Sequence, residues 1–163
     1  MSSITRISAH PLHVSAKTNW LFLRVECADG LDGWGEASLN GWEPLQLAAA
    51  QLRARSADFS RLCVEETGAI AGWGHFNTGF AATLLEEAAA MTTQITGETV
   101  PSDHAGTFAM GVRQPAGVCV GMAPWNAPVI LGVRAIAMPL ACGNTVVLKA
   151  SELCPAVHRL IVD

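Results

Sequence analysis

Apolar and polar positions alternate through the first forty residues, which is the pattern of half-buried β-strands. Residues 20–27 place Leu21, Leu23 and Val25 on one face of such a strand. The pair Asp29-Gly30 suits a tight turn, after which residues 31–37 return as a second strand, and residues 4–14 supply a third. The segment is therefore predicted to form a small antiparallel β-sheet.

After Pro44 the spacing of apolar residues becomes helical. Apolar side chains at positions 45, 48, 49, 52, 59, 62 and 63 predict one helix running from Pro44 to Gly68. A second helix is predicted over residues 78–96, with Asn77 or Thr78 as its N-cap and Gly97 as its terminator.

The second half of the chain is predicted to alternate strands with helices. Strand-like runs at 107–113 and 117–123 are joined by Gln-Pro-Ala-Gly, and a helix follows with Asn126 as a possible cap and Gly143 at its end. A strand at 145–149 and a helix beginning at Ser151 complete the pattern, and the next strand of a parallel sheet is missing. The predicted fold class is α+β: a small antiparallel sheet, long helices, and an incomplete Rossmann-like α/β segment.

Composition limits the classes of partner. Half of the residues are apolar and only 15% are charged, with a mean hydropathy of +0.31, so some apolar surface is expected to meet a partner. The net charge is −4 and the cations are scattered, which argues against nucleic acid and anionic membranes. Prolines interrupt the longest apolar stretch, so no membrane span is predicted. No secretory signal is visible, which predicts a cytoplasmic location, and neither cysteines nor histidines have metal-ligand spacing.

Four stretches carry a resemblance to a known family. They are Ala-Asp-Phe-Ser-Arg-Leu-Cys-Val-Glu-Glu-Thr-Gly (57–68), Gly-Val-Arg-Gln-Pro-Ala-Gly-Val (111–118), Ala-Pro-Trp-Asn-Ala-Pro (123–128) and Pro-Leu-Ala-Cys-Gly-Asn-Thr-Val-Val-Leu-Lys-Ala-Ser-Glu (139–152). In this order they resemble the aldehyde dehydrogenase superfamily over about residues 54–161, and especially its members that act on salicylaldehyde and vanillin. The resemblance implies NAD or NADP as cofactor and an aromatic aldehyde as substrate in the parent family, and weak or no cofactor binding is expected in this chain.

The same resemblance assigns a catalytic role to Asn126. Its side-chain amide would stabilise the oxyanion that forms when a thiolate attacks the aldehyde, an effect typically worth about 10²- to 10³-fold in rate. From the residues alone, the simpler interpretation is that Asn126 only caps the helix that follows it.

The cofactor site is also implied by resemblance. Lys149 and Glu152 would flank the adenosine ribose, with Ser151 between them, and main-chain groups of Ala123, Pro124 and Trp125 would line the same cleft. Strand ends are where such clefts form. The alternative is a solvated lysine followed by a glutamate that the helix dipole favours.

Other parts of the family's machinery have no counterpart in this sequence. The reactive cysteine, the general-base glutamate and the glycine-rich turn for the pyrophosphate lie farther along the family's chains, and none of the five cysteines has the nucleophile's sequence context. Since covalent aldehyde oxidation needs a thiolate, the chain is predicted to be a truncated dehydrogenase that is inactive by itself.

Residues 3–47 resemble a different group, the start of the capping domain of enolase-superfamily enzymes of the mandelate racemase and sugar-acid dehydratase branch. That resemblance places Asn19, Trp20, Asn40 and Trp42 in loops, whereas the simpler interpretation makes both tryptophans anchors of the sheet. The chain is thus predicted to be a chimera, with a capping-type sheet at 1–43, a dehydrogenase segment at 44–163, and a junction within about 42–57.

Two further functions remain open at this point. The chain could be an interaction module that pairs with another copy or with a full-length dehydrogenase subunit through its exposed hairpin or long helix, because unpaired strand edges and apolar surface favour such contacts. It could instead be a capping module that needs a separate barrel chain. The metal-binding carboxylates of such a barrel are missing from this sequence, so no magnesium site is predicted.

Overall fold

The N-terminal sheet forms as the alternation predicts. The computed structural model describes residues 4–15, 18–36 and 43–163. Strands β1 (Ile4–Ser15), β2 (Thr18–Cys27) and β3 (Asp32–Glu36) make an antiparallel sheet in that order. In its register Ile7 lies opposite Val25, and Arg24 lies opposite Trp34. Asn19 and Trp20 belong to β2 and not to a loop, whereas Asn40 and Trp42 lie outside the described residues.

The helix predicted from Pro44 to Gly68 is in fact two helices, α1 (Glu43–Ala54) and α2 (Ser56–Thr67). The prediction of one helix is wrong at Arg55, whose backbone leaves helical geometry at φ −97° and ψ 15°. Hydrogen bonds from Arg55 N to Gln51 O (3.0 Å) and from Phe59 N to Arg55 O (3.1 Å) continue across the bend. The bend lets both helices pack on the next one. Gly68 ends α2 with φ 70°, as predicted.

The central helix α3 (Ala71–Met91) begins well before the predicted start at residue 78, and a 3-10 turn (Thr92–Gln94) follows it. Neither Asn77 nor Thr78 is a cap: both are fully buried in the helix and donate to the carbonyls of Trp73 (3.0 Å) and Gly74 (2.9 Å). These bonds to the preceding turn pair the donors of both side chains inside the protein, whereas Asn77 Oδ1 has no hydrogen-bond partner among the described residues. The local preference of these two residues favours a helix cap, whereas their packing in the core favours a longer helix.

Residues 107–113 and 117–123 were predicted as strands joined by a turn, but they belong to different sheets. Strand β5 (Ala109–Gly111) pairs antiparallel with β4 (Glu98–Val100), which was not predicted. Strand β6 (Val118–Met122) pairs in parallel with β7 (Thr145–Lys149), whose bounds agree with the predicted strand.

Helix α4 (Pro128–Ala141) connects β6 to β7, which confirms the predicted β-α-β unit. The last helix, α5 (Pro155–Val162), begins four residues after Ser151. The prediction of Ser151 as its N-cap is wrong, because the cap position is Cys154 and a proline occupies the first helical position.

The buried core lies where α1, α2 and α4 meet α3, and α5 packs on α2 and α4. Small side chains on α3 allow this close packing, and at Gly74 any Cβ would lie only 2.5 Å from the Cα of Ser60 in α2. The core side chains include Leu45, Ala49, Leu52, Phe59, Cys63, Ala81, Leu85, Ala88, Val129, Val133, Ala137, Cys154 and Val157. Within the described ranges, no helix is both long and apolar enough to cross a membrane.

Candidate active site at the ends of the parallel strands

Two chain segments meet at the carboxyl ends of β6 and β7. Met122 is in register with Lys149, and Ala123 N donates to Lys149 O at 3.1 Å. Residues 123–126 and 149–152 therefore follow neighbouring strands at one edge of the parallel sheet. Such edges are where open α/β sheets bind ligands. The structure thus brings together both groups of residues that the sequence singled out.

Lys149 and Glu152 form an exposed ion pair, with Nζ 3.6 Å from Oε2. The pKa of the Glu152 carboxyl is lowered, first by a hydrogen bond to its own backbone N–H and next by the charge of Lys149. Because both side chains lie mostly in solvent, the pair adds little to stability and stays available to a ligand. A carboxylate that accepts and an ammonium that donates fit a ligand rich in hydroxyl and phosphate groups.

Ser151 is buried, and its polar groups are used within the protein. Its N–H donates to His158 Nδ1 at 3.0 Å, and its Oγ accepts from Leu153 N at 3.2 Å. These bonds shape the turn between β7 and α5. Ser151 thereby holds its exposed neighbour Glu152 in place.

Asn126 presents a free side-chain amide beside this edge. The residue is exposed, and within the described part of the chain its amide has no hydrogen-bond partner. The interpretation of Asn126 as a helix cap is wrong, since the cap position of α4 is Ala127 and no side chain caps that helix. Only its backbone carbonyl is engaged, accepting from Trp73 Nε1 at 3.3 Å. The amide can donate to a bound molecule.

A row of three aromatic side chains on α3, here called the aromatic row, starts at this hydrogen bond. The rings of Trp73 and Phe76 stack at 5.4 Å between centroids, and those of Phe76 and Phe80 at 5.9 Å. All three are exposed, Phe76 by 53%. Their helical spacing was visible in the sequence, but the predicted helix began at residue 78 and left two of them out.

Sequence reasoning also missed two polar residues near the site, the buried His158 and the half-buried Glu66. His158 is 1% exposed and contacts both Ser151 N and the Pro128 carbonyl, the latter at 3.2 Å from Nε2. Burial lowers the pKa of its imidazole. Glu66 of α2 accepts from the N–H groups of Ala156 and Val157, both at 2.9 Å, and so caps α5. These contacts join residues far apart in the chain, which no local pattern shows.

None of the five cysteines places an accessible thiol beside Asn126. Cys63 is fully buried, and burial raises the pKa of its thiol to about 11. Burial also raises the pKa of Cys154. Cys142 is exposed, but it follows the far end of the 14-residue α4, about 21 Å along the helix axis. Cys119 lies within β6 and Cys27 in the N-terminal sheet.

Comparison with known proteins gives one consistent result. The sequence profile of the Aldehyde dehydrogenase family matches residues 32–163. A vanillin dehydrogenase of Pseudomonas fluorescens is 68% identical over 114 residues, which cover 70% of this chain and 23% of that protein. The chain thus spans about a quarter of that relative's length.

Solved structures agree with the sequence comparison. A salicylaldehyde dehydrogenase from Pseudomonas putida G7, complexed with salicylaldehyde, superposes with a TM-score of 0.72 at 44% identity, covering 74% of this chain and 25% of that one. The structure of 3,6-anhydro-L-galactose dehydrogenase in complex with NADP gives a TM-score of 0.69 at 28% identity, covering 74% and 26%. The family match starts at residue 32, before the predicted junction at 42–57. The enolase-type resemblance and the chimeric origin have no support from these comparisons.

Proposed function

Because the chain belongs to the aldehyde dehydrogenase family, we propose that it forms the oxyanion-stabilising and adenosine-binding part of an enzyme that oxidises aromatic aldehydes. The family is NAD(P)-dependent. The observation that carries the proposal is the free amide of Asn126, in a segment that bonds to Trp73 of the aromatic row and follows β6 beside the strand that ends at Lys149. The sheet edge and α3 together thus offer a neutral donor, flat apolar rings and a pair of charged groups.

Asn126 is proposed as the oxyanion donor. A neutral N–H that is already positioned costs no reorganisation when negative charge develops on the aldehyde oxygen, and removal of such a donor typically lowers kcat about 10²- to 10³-fold. The hydrogen bond from Trp73 to the Asn126 carbonyl holds the backbone and leaves the amide free.

Lys149 and Glu152 are proposed to hold the adenosine ribose, with Ser151 shaping their turn and the main chain of Ala123, Pro124 and Trp125 lining the cleft. The carboxylate of Glu152 accepts from ribose hydroxyls, and the ammonium of Lys149 donates to them or to a 2′-phosphate. When bound, NAD or NADP supplies the hydride acceptor for the reaction. The donor set fits either form of the cofactor.

The aromatic row supports an aromatic aldehyde as substrate. Planar rings stack on planar rings with a gain of about 0.5–1.5 kcal/mol beyond the burial of area. Trp73 is hydrogen-bonded to the segment of Asn126, so a ring held by the row would bring its carbonyl carbon near the amide donor. The relatives named for vanillin and salicylaldehyde point to the same class of substrate.

We further propose that these 163 residues by themselves do not turn over aldehyde. Covalent oxidation needs an accessible thiolate next to the oxyanion donor. Cys63 and Cys154 are buried with raised thiol pKa values, and the exposed Cys142 lies at the opposite end of α4. An oxyanion donor without a nucleophile has nothing to stabilise.

The test combines turnover with cofactor binding. The purified chain is incubated with vanillin or salicylaldehyde and NAD or NADP, and no reduced cofactor is expected above the blank. In thermal unfolding each cofactor should stabilise the chain, by about 1.4 kcal/mol at ten times its Kd. Lys149→Ala and Glu152→Ala should abolish the shift, and Arg61→Ala, a distant surface cation, should keep it. Turnover would overturn the proposed inactivity, whereas a shift unaffected by Lys149→Ala would overturn the site.

A second function, as an interaction module, is favoured by apolar side chains around β5. Val100, Phe108, Met110 and Val112 are all exposed there, Phe108 by 72%. We propose this surface as the contact with another copy of the chain or with a full-length dehydrogenase subunit. Met110→Lys should reduce association measured by light scattering and by co-purification with an intact dehydrogenase. The same change should leave any cofactor-induced stabilisation intact.

The proposed division into residues 1–43 and 44–163 remains a prediction. Helix α1 packs against both β1 and β2, so the two parts share an interface. Removing residues 1–43 should therefore lower the stability of the remaining helices, which urea unfolding would measure.

A further inference from the structure

We propose that His158 is a positioning residue whose buried imidazole ties the turn after β7 to the first turn of α4. It thereby fixes the proposed ribose-binding groups relative to Asn126, and in this respect the proposal rests on the proposed function. Ser151, one end of the tie, directly precedes Glu152, and Pro128, the other end, follows Asn126 by two residues.

The two hydrogen bonds specify one form of the imidazole. Ser151 N is a backbone donor, so His158 Nδ1 must carry a lone pair to accept from it at 3.0 Å. The Pro128 carbonyl is only an acceptor, so Nε2 must carry the proton that it receives at 3.2 Å. The ring is therefore neutral with its proton on Nε2. A second proton would place N–H against N–H at Ser151 and break the tie.

The surroundings keep the ring in that state and in that place. His158 is 1% exposed, and its desolvation lowers the pKa of the imidazole, outweighing the Pro128 carbonyl and the Glu66 carboxylate, which raise it. Among the described residues, the titratable groups around it are Glu66 from α2 and Cys154 on its own turn, with Sγ 3.8 Å from Nδ1. From α4, Gly132 offers only backbone: a Cβ there would lie 3.2 Å from His158 Cδ2.

This arrangement differs from ordinary core packing. Thr78 is as deeply buried as His158, but its hydroxyl bonds within its own helix, to Gly74 O at 2.9 Å. The imidazole instead joins two separate backbone segments, since Pro128 lies 30 residues before His158 and Ser151 lies 7 residues before it. Loss of the ring should free two particular backbone groups, and not merely lower stability.

The first test reads the ring directly. Imidazole ¹⁵N shifts of the full chain should show the Nε2–H tautomer for His158 from pH 8 down to pH 6. A ring with its proton on Nδ1, or one that carries a second proton within this range, would overturn the proposal.

The second test separates the two arms of the tie. In His158→Asn the amide oxygen can replace Nδ1 as acceptor for Ser151, and in His158→Gln the amide nitrogen can replace Nε2 as donor to Pro128. Hydrogen exchange of the Ser151 amide should quicken roughly tenfold in His158→Gln and stay near the wild-type rate in His158→Asn. The ¹³C shift of the Pro128 carbonyl should change in the opposite pattern. Thr78→Val serves as the control for general loss of stability.

The result that would overturn the proposal is equal behaviour of both His158 variants, with exchange following global stability as in Thr78→Val. Cofactor binding is measured on the same proteins with NAD as the probe. His158→Gln should weaken NAD binding more than His158→Asn does. If wild type binds no NAD, the proposed function fails, and the exchange and shift data still decide whether His158 forms the tie.

Discussion

Replacing Glu66 by glutamine should destabilise the protein more than a surface charge change does. The carboxylate accepts from Ala156 N and Val157 N, both at 2.9 Å, and these are the first two donors of α5 because Pro155 has no N–H. Glutamine keeps one acceptor and turns an NH₂ group toward the other donor. A helix of eight residues offers few other contacts to compensate.

The magnitude follows from the kind of bond lost. A hydrogen bond to an ionised group contributes about 1.5–3 kcal/mol, and the free energy of unfolding should fall by that amount in Glu66→Gln. At 2–4 °C per kcal/mol for a chain of this size, Tm should fall by roughly 3–12 °C. Urea and thermal unfolding followed by circular dichroism measure both quantities.

Glu65 supplies the matched control. It neighbours Glu66 and pairs with Arg61 one turn away at 3.0 Å, with both side chains more than half exposed. Such pairs contribute about 0.3–0.5 kcal/mol, so Glu65→Gln should hardly change the unfolding curve. Equal effects of the two substitutions would refute the reasoning. So would a free energy of unfolding of Glu66→Gln within about 0.5 kcal/mol of wild type, since surface substitutions usually change it by no more than that.

Three other outcomes are expected. Gly74→Ala should destabilise the protein by about 1–3 kcal/mol or more, because its Cβ would lie 2.5 Å from Ser60 Cα. Gly79→Ala on the same helix should stabilise it slightly, because no atom lies within 4 Å of the added Cβ. Urea unfolding compares the free energies of unfolding of the two variants. With a thiol reagent at pH 8, Cys142 should react first and Cys63 only on unfolding, as mass spectrometry of labelled peptides will show; early labelling of Cys63 would contradict its burial. The pKa of the Cys63 thiol is about 11 in the folded protein and ordinarily about 9.0, so the unfolded chain loses this proton first as pH rises. The free energy of unfolding should therefore fall between pH 9 and pH 11 by up to roughly 2–3 kcal/mol. Cys63→Ala should reduce that fall.

The sequence predicts best where local signals and packing agree. Strand β7 and the end of α4 follow from a β-branched run and from Gly143, which takes a positive φ of 77°. Their order also places Lys149 at a strand end, in register with Met122 and so with the segment that leads to Asn126, while the roles of both residues stay a prediction.

Prediction failed where packing overrode local preference. Asn77 and Thr78 have the chemistry of caps, but both lie inside α3, which starts at Ala71. The earlier start brings Gly74 into close contact with Ser60 of α2. At Arg55 no glycine or proline marks the bend, and only the packing of α1 and α2 on α3 requires it. The tie through His158 joins residues 30 apart and leaves no periodic trace.

The cap that Glu66 places on α5 also sets an order of folding events. Glu66 is separated from its two partners by 90 and 91 residues, and α5 is too short to persist in isolation. Loop closure over that distance must come before the helix gains its cap, so we expect α5 to form late, against a surface already built by α2 and α4. During synthesis, the surface of α2 that binds α5 is thus made long before α5 itself leaves the ribosome.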